Sequence, residues 1–468
     1  MAMFVGRENE MSTLNKLYDE DKFQMVVMYG RRRIGKTTLI SKFISDKPAI
    51  FFTAQEVNDS LNLSRFSKTV YSFFDIPDST GAFAGWNDAF DFLIQKAKEK
   101  RFILAFDEFP YAASANRSLK SVLQIAIDHG FKDTGIFLIL CGSHMGFMEN
   151  EVLGYNSPLF GRRTAQIKLD GFDYYDAGKL LGSFSNEDKV KFYACVGGTP
   201  HYLSQINANE SFEENIKRLY FDISGYLYNE PMMLLQQELR EPAMYNSIIA
   251  AIAAGASKLN EIATKINEES PKVNKYLQVL LNLQIVQKIY PFGENIQNSR
   301  KGIYRIADNC YDFWYSFVFL NKPEIECGNG DIIAESMVFG KHLSSYIGKP
   351  PFEVICMQYL QRMNRKKRLP FTATSLGTWW GTDPLEKSQA DFDVIAANRN
   401  EKQIILGECK WKRDVNVSAI AKNLMTKNHI LPEYKERYIY VFAKEPPREY
   451  AEASDVTVVT TDMLYELE

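Results

Sequence analysis

Two short stretches carry side chains whose types and spacing suit phosphate chemistry. The first, Gly30-Arg31-Arg32-Arg33-Ile34-Gly35-Lys36-Thr37, fills every fixed position of the pattern GxxxxGK[ST]. Glycines let backbone N–H groups turn inward around phosphate oxygens, and a following helix aims its N-terminus at the same charge. On this reading Gly30, Ile34, Gly35, Lys36, Thr37 and Thr38 bind ATP. Lys36 reaches the β- and γ-phosphates, and the Thr37 hydroxyl ligates Mg²⁺. The apolar run 102–106 ends in Asp107-Glu108, a strand end suited to holding the magnesium shell. Asp107 is assigned to the metal and Glu108 to the base that orients or deprotonates the attacking water. Ser143 ends the next apolar run, where it either senses the γ-phosphate or makes a plain strand-to-loop turn. Arg162 and Arg163 are candidates for a charge-stabilising arginine, with solvation the alternative for at least one.

The second stretch lies near the C-terminus. Glu408 and Lys410 flank Cys409 at the end of a strand-like run, and residues two apart on a strand share a face. Asp393, in the apolar run 392–396, is placed to complete an acidic pair with Glu408, and Glu353 on a preceding helix to add a third carboxylate. Such carboxylates hold Mg²⁺, and a neighbouring ammonium positions or activates water for phosphodiester attack. Asp391 shares a face with Asp393, so either can be the ligand; Asp393 lies deeper in the apolar run and is preferred. The basic run Arg362, Arg365, Lys366, Lys367, Arg368 is either a solvated helix end or a phosphate track. Trp379 and Trp380 read as core or interface anchors rather than base-stacking platforms.

These groups need elements to position them. Apolar runs at 23–29, 49–53, 101–106, 135–140 and 165–169 alternate with amphipathic stretches, which predicts a parallel sheet covered by helices. Residues 174–240 read as helical, interrupted by Gly197-Gly198-Thr199-Pro200. From 241 to 307 the pattern is three helices and a short hairpin (286–291 and 302–306), the layout of a winged helix. After an aromatic stretch, 311–320, a boundary is placed at 323–331. Two helices (332–347 and 352–363) follow, then strands at 375–380, 392–396 and 403–409, a helix at 417–427, and strands at 437–442 and 456–460. The expected domains are therefore 1–172 (P-loop core), 173–240 (helical lid), 241–308 (winged helix), 309–330 (linker) and 331–468 (C-terminal α/β domain).

With 468 residues the chain is long for one core, and a net charge of −3 excludes a polybasic nucleic-acid binder without excluding a local basic groove. The six cysteines are scattered without a CxxC pair and the five histidines are dispersed, so neither a disulfide framework nor a histidine metal site is expected. No apolar run approaches the ~18 residues of a membrane span. The first residues leave no room for a signal peptide. A cytoplasmic protein with no membrane partner is expected.

Phe4-Val5-Gly6-Arg7-Glu8, the Arg-rich P-loop, Asp107-Glu108 and the Gly-Gly-Thr-Pro turn resemble the prokaryotic AAA-like ATPases of the STAND class, and within them the archaeal ATPase group. The resemblance implies that Phe4 and Val5 line the adenine pocket and that Pro200 belongs to a helical lid over the nucleotide. Glu353, Asp393, Glu408 and Lys410, in the order helix, three strands, helix, strand, resemble the PD-(D/E)xK nuclease superfamily; Ala390-Asp391 stands where Pro-Asp is usual. The implied chain is an ATP-dependent switch controlling a restriction-endonuclease-like domain that acts on nucleic acid, DNA favoured. The alternative is an assembly or DNA-binding switch whose last domain only recognises a partner. A homo-oligomer is compatible with either.

Overall fold

The computed structural model describes residues 4–239, 241–446 and 456–466; Arg240 and the outer ends of the expected first and last domains lie outside them. The chain divides into two compact units, one from Phe4 to Gly171 and one from Phe172 onward.

In the first unit β1 (Gln24–Tyr29), β2 (Ala49–Thr53), β3 (Ile103–Asp107), β4 (Phe137–Gly142) and β5 (Ala165–Lys168) form a parallel sheet ordered β2-β3-β4-β1-β5. Every residue of β1 is buried, as expected where helices cover both faces. Met25, Val27 and Tyr29 join Leu104, Phe106 and Leu138 in one apolar cluster, whereas Val26 and Met28 join Ile103, Ala105 and Ile139 in another. One apolar strand thus feeds two cores through its period of two. The strands fall where the apolar runs predicted, but β3 begins at Ile103 and extends to Asp107, whose carboxylate the apolar pattern had left outside.

An ion pair closes the turn before β5. Arg162 Nε lies 3.1 Å from both Asp128 carboxylate oxygens, and its Nη1 donates to the carbonyls of Pro158 and Phe160. Of the two candidates for a charge-stabilising arginine, Arg162 is thus neither solvated nor free, because Asp128 and two carbonyls occupy its guanidinium. Arg163 is exposed.

The second unit opens with helices that include Tyr174–Leu180, Asn186–Val196, Pro200–Leu203 and Glu230–Glu238. A Cβ on Gly198 would sit 1.8 Å from the Phe172 carbonyl oxygen, while the Phe172 N–H donates to the Gly198 carbonyl at 2.7 Å. Only glycine permits that approach, so packing within this unit accounts for the Gly-Gly turn. Helices Pro242–Ala253, Leu259–Lys265 and Ser270–Asn282 then precede an antiparallel hairpin, β6 (Val286–Ile289) and β7 (Ile303–Ile306).

Two expectations fail here. Residues 309–330, expected as a linker, are helical through Asn309–Phe313, Trp314–Val318 and Ile325–Asn329, and Phe313, Trp314 and Tyr315 are buried in the main core of the unit. The aromatic stretch is core rather than tether, because rings of that size stabilise most when buried. The helix expected over 332–347 breaks at Phe339, whose ψ is 165°, and Lys341–Gly348 starts afresh.

The C-terminal part builds a second sheet from β8 (Ser375–Thr382), β9 (Gln389–Asn398), β10 (Gln403–Lys410), β11 (Glu436–Ala443) and β12 (Val456–Val459), in the order β12-β11-β10-β9-β8. The β8–β9 and β9–β10 pairs are antiparallel, and β10–β11 and β11–β12 are parallel. Ile405 and Cys409 of β10 share a core with helix Pro351–Arg365, and Ile404 and Leu406 share another with helix Val417–Thr426. Arg362, expected in a phosphate track or a solvated helix end, instead bonds Asp173 through Nε and Nη2 and Asp176 through Nη2. Among the described residues no helix is long and apolar enough to cross a membrane.

The Arg162 bond holds the Asp128 carboxyl well below the usual carboxylate range. A depressed folded pKa contributes stability above the unfolded value, near pH 4, and loses it as pH falls through the folded value. Asp128→Asn should cost about 1–2 kcal/mol at neutral pH by urea denaturation. The gap to wild type should close on acidification; a gap that stays constant down the acid limb would refute the assignment.

Candidate functional site

The first site forms at the C-terminal ends of β1, β3 and β4, where a parallel sheet opens toward its loops. Gly30 leaves β1 so close to the chain beyond β5 that a Cβ would lie 2.3 Å from the Leu169 carbonyl oxygen and 2.5 Å from Ile34 Cδ1. The loop then turns into helix Lys36–Ile44, with Gly35 at its N-cap. Lys36, only 6% exposed, donates from Nζ to the carbonyls of Gly30 (3.0 Å) and Arg31 (2.9 Å). Its ammonium thus lies inside the curl of its own loop. Ile34 is buried against β1, Thr37 stands on the first helical turn, and Thr38 beside it is exposed.

Thr37 Oγ1 donates to Asp107 Oδ2 at 3.0 Å, which joins the first turn of that helix to the end of β3. Asp107 is buried, and its Oδ1 accepts the Glu108 N–H. Glu108 adopts left-handed backbone (φ 48°, ψ 41°) at the N-cap of helix Phe109–Ala115. Its Oε2 accepts from the Ser143 hydroxyl at 2.9 Å and the Ser143 N–H at 3.2 Å. Ser143, beyond the end of β4, therefore holds Glu108. The sequence had left it between phosphate sensor and plain turn, and no local pattern encodes a bond across 35 residues. Burial pushes the Cys141 thiol far up, with the Asp107 charge adding to it, so this thiol is neutral.

Arg7 was not singled out in the sequence beyond its place in the opening motif. It donates from Nη2 to the carbonyls of Ile34 (3.2 Å) and Asp170 (2.6 Å), and from Nη1 to Glu10 (3.3 Å). It ties the N-terminal segment to the phosphate loop. Phe4 packs against the β1–β4 core beside it and Val5 is buried, whereas Pro200 belongs to the second unit.

The second site gathers at one end of the C-terminal sheet. The β9–β10 ladder runs to Gly407↔Val394, and beyond it the Cys409 N–H donates to Asp393 Oδ2 at 2.8 Å. Lys410 Nζ donates to Glu408 Oε1, as their shared face predicted. Glu353, on the first turn of helix Pro351–Arg365, and Asp393 are each 7% exposed, whereas Asp391 is 56% exposed.

Lys349 is the residue that sequence reasoning missed. Its Nζ lies 3.2 Å from Glu353 Oε1, 3.3 Å from Asp391 Oδ2 and 3.9 Å from Asp393 Oδ1. Lys349 has extended backbone (φ −155°, ψ 120°) between helices Lys341–Gly348 and Pro351–Arg365, so no helical spacing rule linked it to Glu353. Arg305 of β7 approaches Glu353 Oε2 at 3.7 Å. Burial, and next the Asp393 charge, raise the Glu353 carboxyl to about 7 against the opposing pull of Lys349 and Arg305. Burial and Asp393 also raise Glu408. For Lys410 burial opposes the charge, but the Glu408 bond and charge outweigh it and the ammonium is held above its usual value. Among the described residues no group of three or more His, Cys, Asp and Glu is placed to hold a metal ion. Trp379 and Trp380 are half-buried, and Trp379 packs on Phe392 with ring centroids 5.8 Å apart.

Comparison with known proteins places the two sites in different matched regions. Residues 4–206 match an ATPase domain found predominantly in Archaea, and residues 314–423 match a domain of archaeal and bacterial proteins of unknown function. A solved structure, the Walker-type ATPase PABY2304 of Pyrococcus abyssi, aligns with TM-score 0.54 at 20% identity over 67% of this chain and 96% of its own, a likeness of fold alone. An uncharacterised ATP-binding protein of Methanocaldococcus jannaschii is 45% identical over 47 residues, 10% of this chain and 80% of its own. A second, uncharacterised protein of that archaeon is 30% identical over 96% of this chain and 97% of its own length. The chain belongs to the family of that second protein, and it joins an archaeal-type P-loop ATPase domain to a C-terminal domain of unknown function.

Proposed function

We propose that this protein hydrolyses ATP and uses the nucleotide cycle to control its C-terminal domain. The observation that carries the first half is the convergence of Lys36, Thr37, Asp107 and Glu108 at the end of one parallel sheet, with Glu108 held by Ser143. A hydroxyl and a carboxylate 3.0 Å apart are an oxygen donor set that suits Mg²⁺. Thr37 and Asp107 would hold that ion, which would offset charge on the phosphates. Lys36 meets the β- and γ-phosphates, Gly30 to Thr38 surround them with N–H groups, and Glu108 takes the proton of the attacking water. Phe4 and Val5 at the base, and Pro200 in a lid, are assigned by resemblance to STAND-class ATPases.

For the C-terminal domain we propose Mg²⁺-dependent hydrolysis of a nucleic-acid backbone, DNA favoured. Supporting it are two buried carboxylates, Glu353 and Asp393, on the sheet end that carries Glu408 and Lys410. The helix and strand order resembles that of PD-(D/E)xK nucleases. The three helices and hairpin before it have the layout of a winged helix. A recognition module without catalysis is favoured by one observation: an ammonium, that of Lys349, already lies among these acids.

Lys36→Ala should abolish ATP binding, measured by titration calorimetry. Glu108→Gln should keep binding but lower the turnover number about 10²–10⁴-fold. Turnover equal to wild type in both would refute the site. Ser143→Ala should lower turnover about tenfold while leaving ATP affinity within about twofold, since it removes a positioning bond rather than a phosphate contact. An unchanged turnover number would refute that role.

Purified full-length protein with Mg²⁺ or Mn²⁺ and ATP should cut DNA, and Glu408→Ala should stop it. Intact DNA and RNA under every nucleotide condition would leave the recognition module as the function.

A further inference from the structure

Lys349, which no motif requires, is the one ammonium within 4.0 Å of Glu353, Asp391 and Asp393 together among the described residues. Glu353 and Asp393 are 7% exposed and cannot turn out to water without moving the helix or strand that carries them. Removing a carboxylate from water costs several kcal/mol unless a cation accompanies it. A cation beside these acids, or a proton on one of them, must therefore offset the charge buried at this end of the sheet. Lys349 differs from the acids it serves: its side chain is 58% exposed, at the C-terminal end of helix Lys341–Gly348, on a flexible stem. It can swing into solvent while the carboxylates stay in place. Arg305 pairs with Glu353 at 3.7 Å, whereas Asp393 has the Cys409 N–H on Oδ2, the Lys410 charge nearby and Lys349 3.9 Å from Oδ1.

We propose that Lys349 is a tethered counter-cation that closes the Glu353–Asp393 pair, and that a divalent ion enters only as the Lys349 ammonium withdraws. The inference rests on the metal-dependent reading of this cluster and adds its regulation. Two cations cannot share carboxylates this close without mutual repulsion, so ammonium and metal compete. The site is then shut by default, and whatever draws Lys349 away opens it. A nucleic-acid phosphate is such a group, because it offers the ammonium an alternative anion. Substrate binding and metal entry thereby become linked.

Mn²⁺ binding to the full-length protein, followed by electron paramagnetic resonance of the free ion, tests this directly. Lys349→Ala and Lys349→Gln should bind Mn²⁺ about tenfold more tightly than wild type, and adding Asp393→Asn should erase the gain. Without metal, Lys349→Ala should melt below wild type, and Mn²⁺ should restore it; Lys349→Gln keeps the stem and guards against misfolding. Equal Mn²⁺ affinity in wild type and both variants, or a gain that survives Asp393→Asn, overturns the proposal even if wild type cuts DNA. Tighter binding with no cleavage by any form upholds the closure and overturns the hydrolytic reading.

Discussion

A buried charge must meet its opposite or a full set of dipoles, and that constraint shapes both sites. In the P-loop the buried ammonium of Lys36 is met by two carbonyls of its own loop. Carbonyl dipoles compensate a cation only in part, so the loop retains a demand for anionic oxygen. In the C-terminal domain the polarity is reversed. There the buried groups are carboxylates, and the compensating charge comes from Lys349 and Arg305. Ionic partners leave less demand for a further ligand than dipoles do, although burial and Asp393 still hold Glu353 above its usual value. One site is therefore poised to bind, and the other is closed until a cation is exchanged.

Strand direction explains why each set of groups meets. In the first unit β1, β3 and β4 run parallel, so their C-terminal ends deliver the phosphate loop, Asp107 with Glu108, and Ser143 to one edge. In the second sheet β9 and β10 run antiparallel. The beginning of β9, with Asp393, then lies beside the end of β10, with Glu408 and Lys410. The Cys409 N–H that would continue the ladder is taken by the Asp393 side chain, which fixes the carboxylate where the strands part.

What the sequence disclosed follows from how local each signal is. The phosphate loop is contiguous, and β1 is apolar without interruption, so both were legible. Glu408 and Lys410 were legible because alternation on a strand is a two-residue rule. Ser143 to Glu108, Arg162 to Asp128 and Arg362 to Asp173 join residues far apart in the chain, and nothing local specifies them. The stretch 309–330 was misread because its Gly-Asn-Gly suggested a tether, whereas Trp314 and Tyr315 fill a core that only the folded unit reveals. Lys349 was overlooked because a lysine before two prolines reads as surface.

Backbone strain separates the two sites in a way composition does not. Glu108 occupies left-handed backbone at φ 48°, where a side chain costs of order 1 kcal/mol and glycine costs none. Were Glu108 only the cap of helix Phe109–Ala115, glycine would fill the position better, and its side chain makes no capping bond. The strain persists because it directs the carboxylate to Ser143 at the mouth of the phosphate loop. Arg7, at φ 67°, has the same character: an awkward backbone that aims a guanidinium at the carbonyls of Ile34 and Asp170. Asp393 and Glu408 are held differently, in ordinary strand backbone by a ladder that parts beside them. Geometry at the ATP site is locked by strain and by paired hydrogen bonds, which suits a reaction that depends on aim. At the carboxylate site the variable is occupancy, set by which cation the buried acids hold.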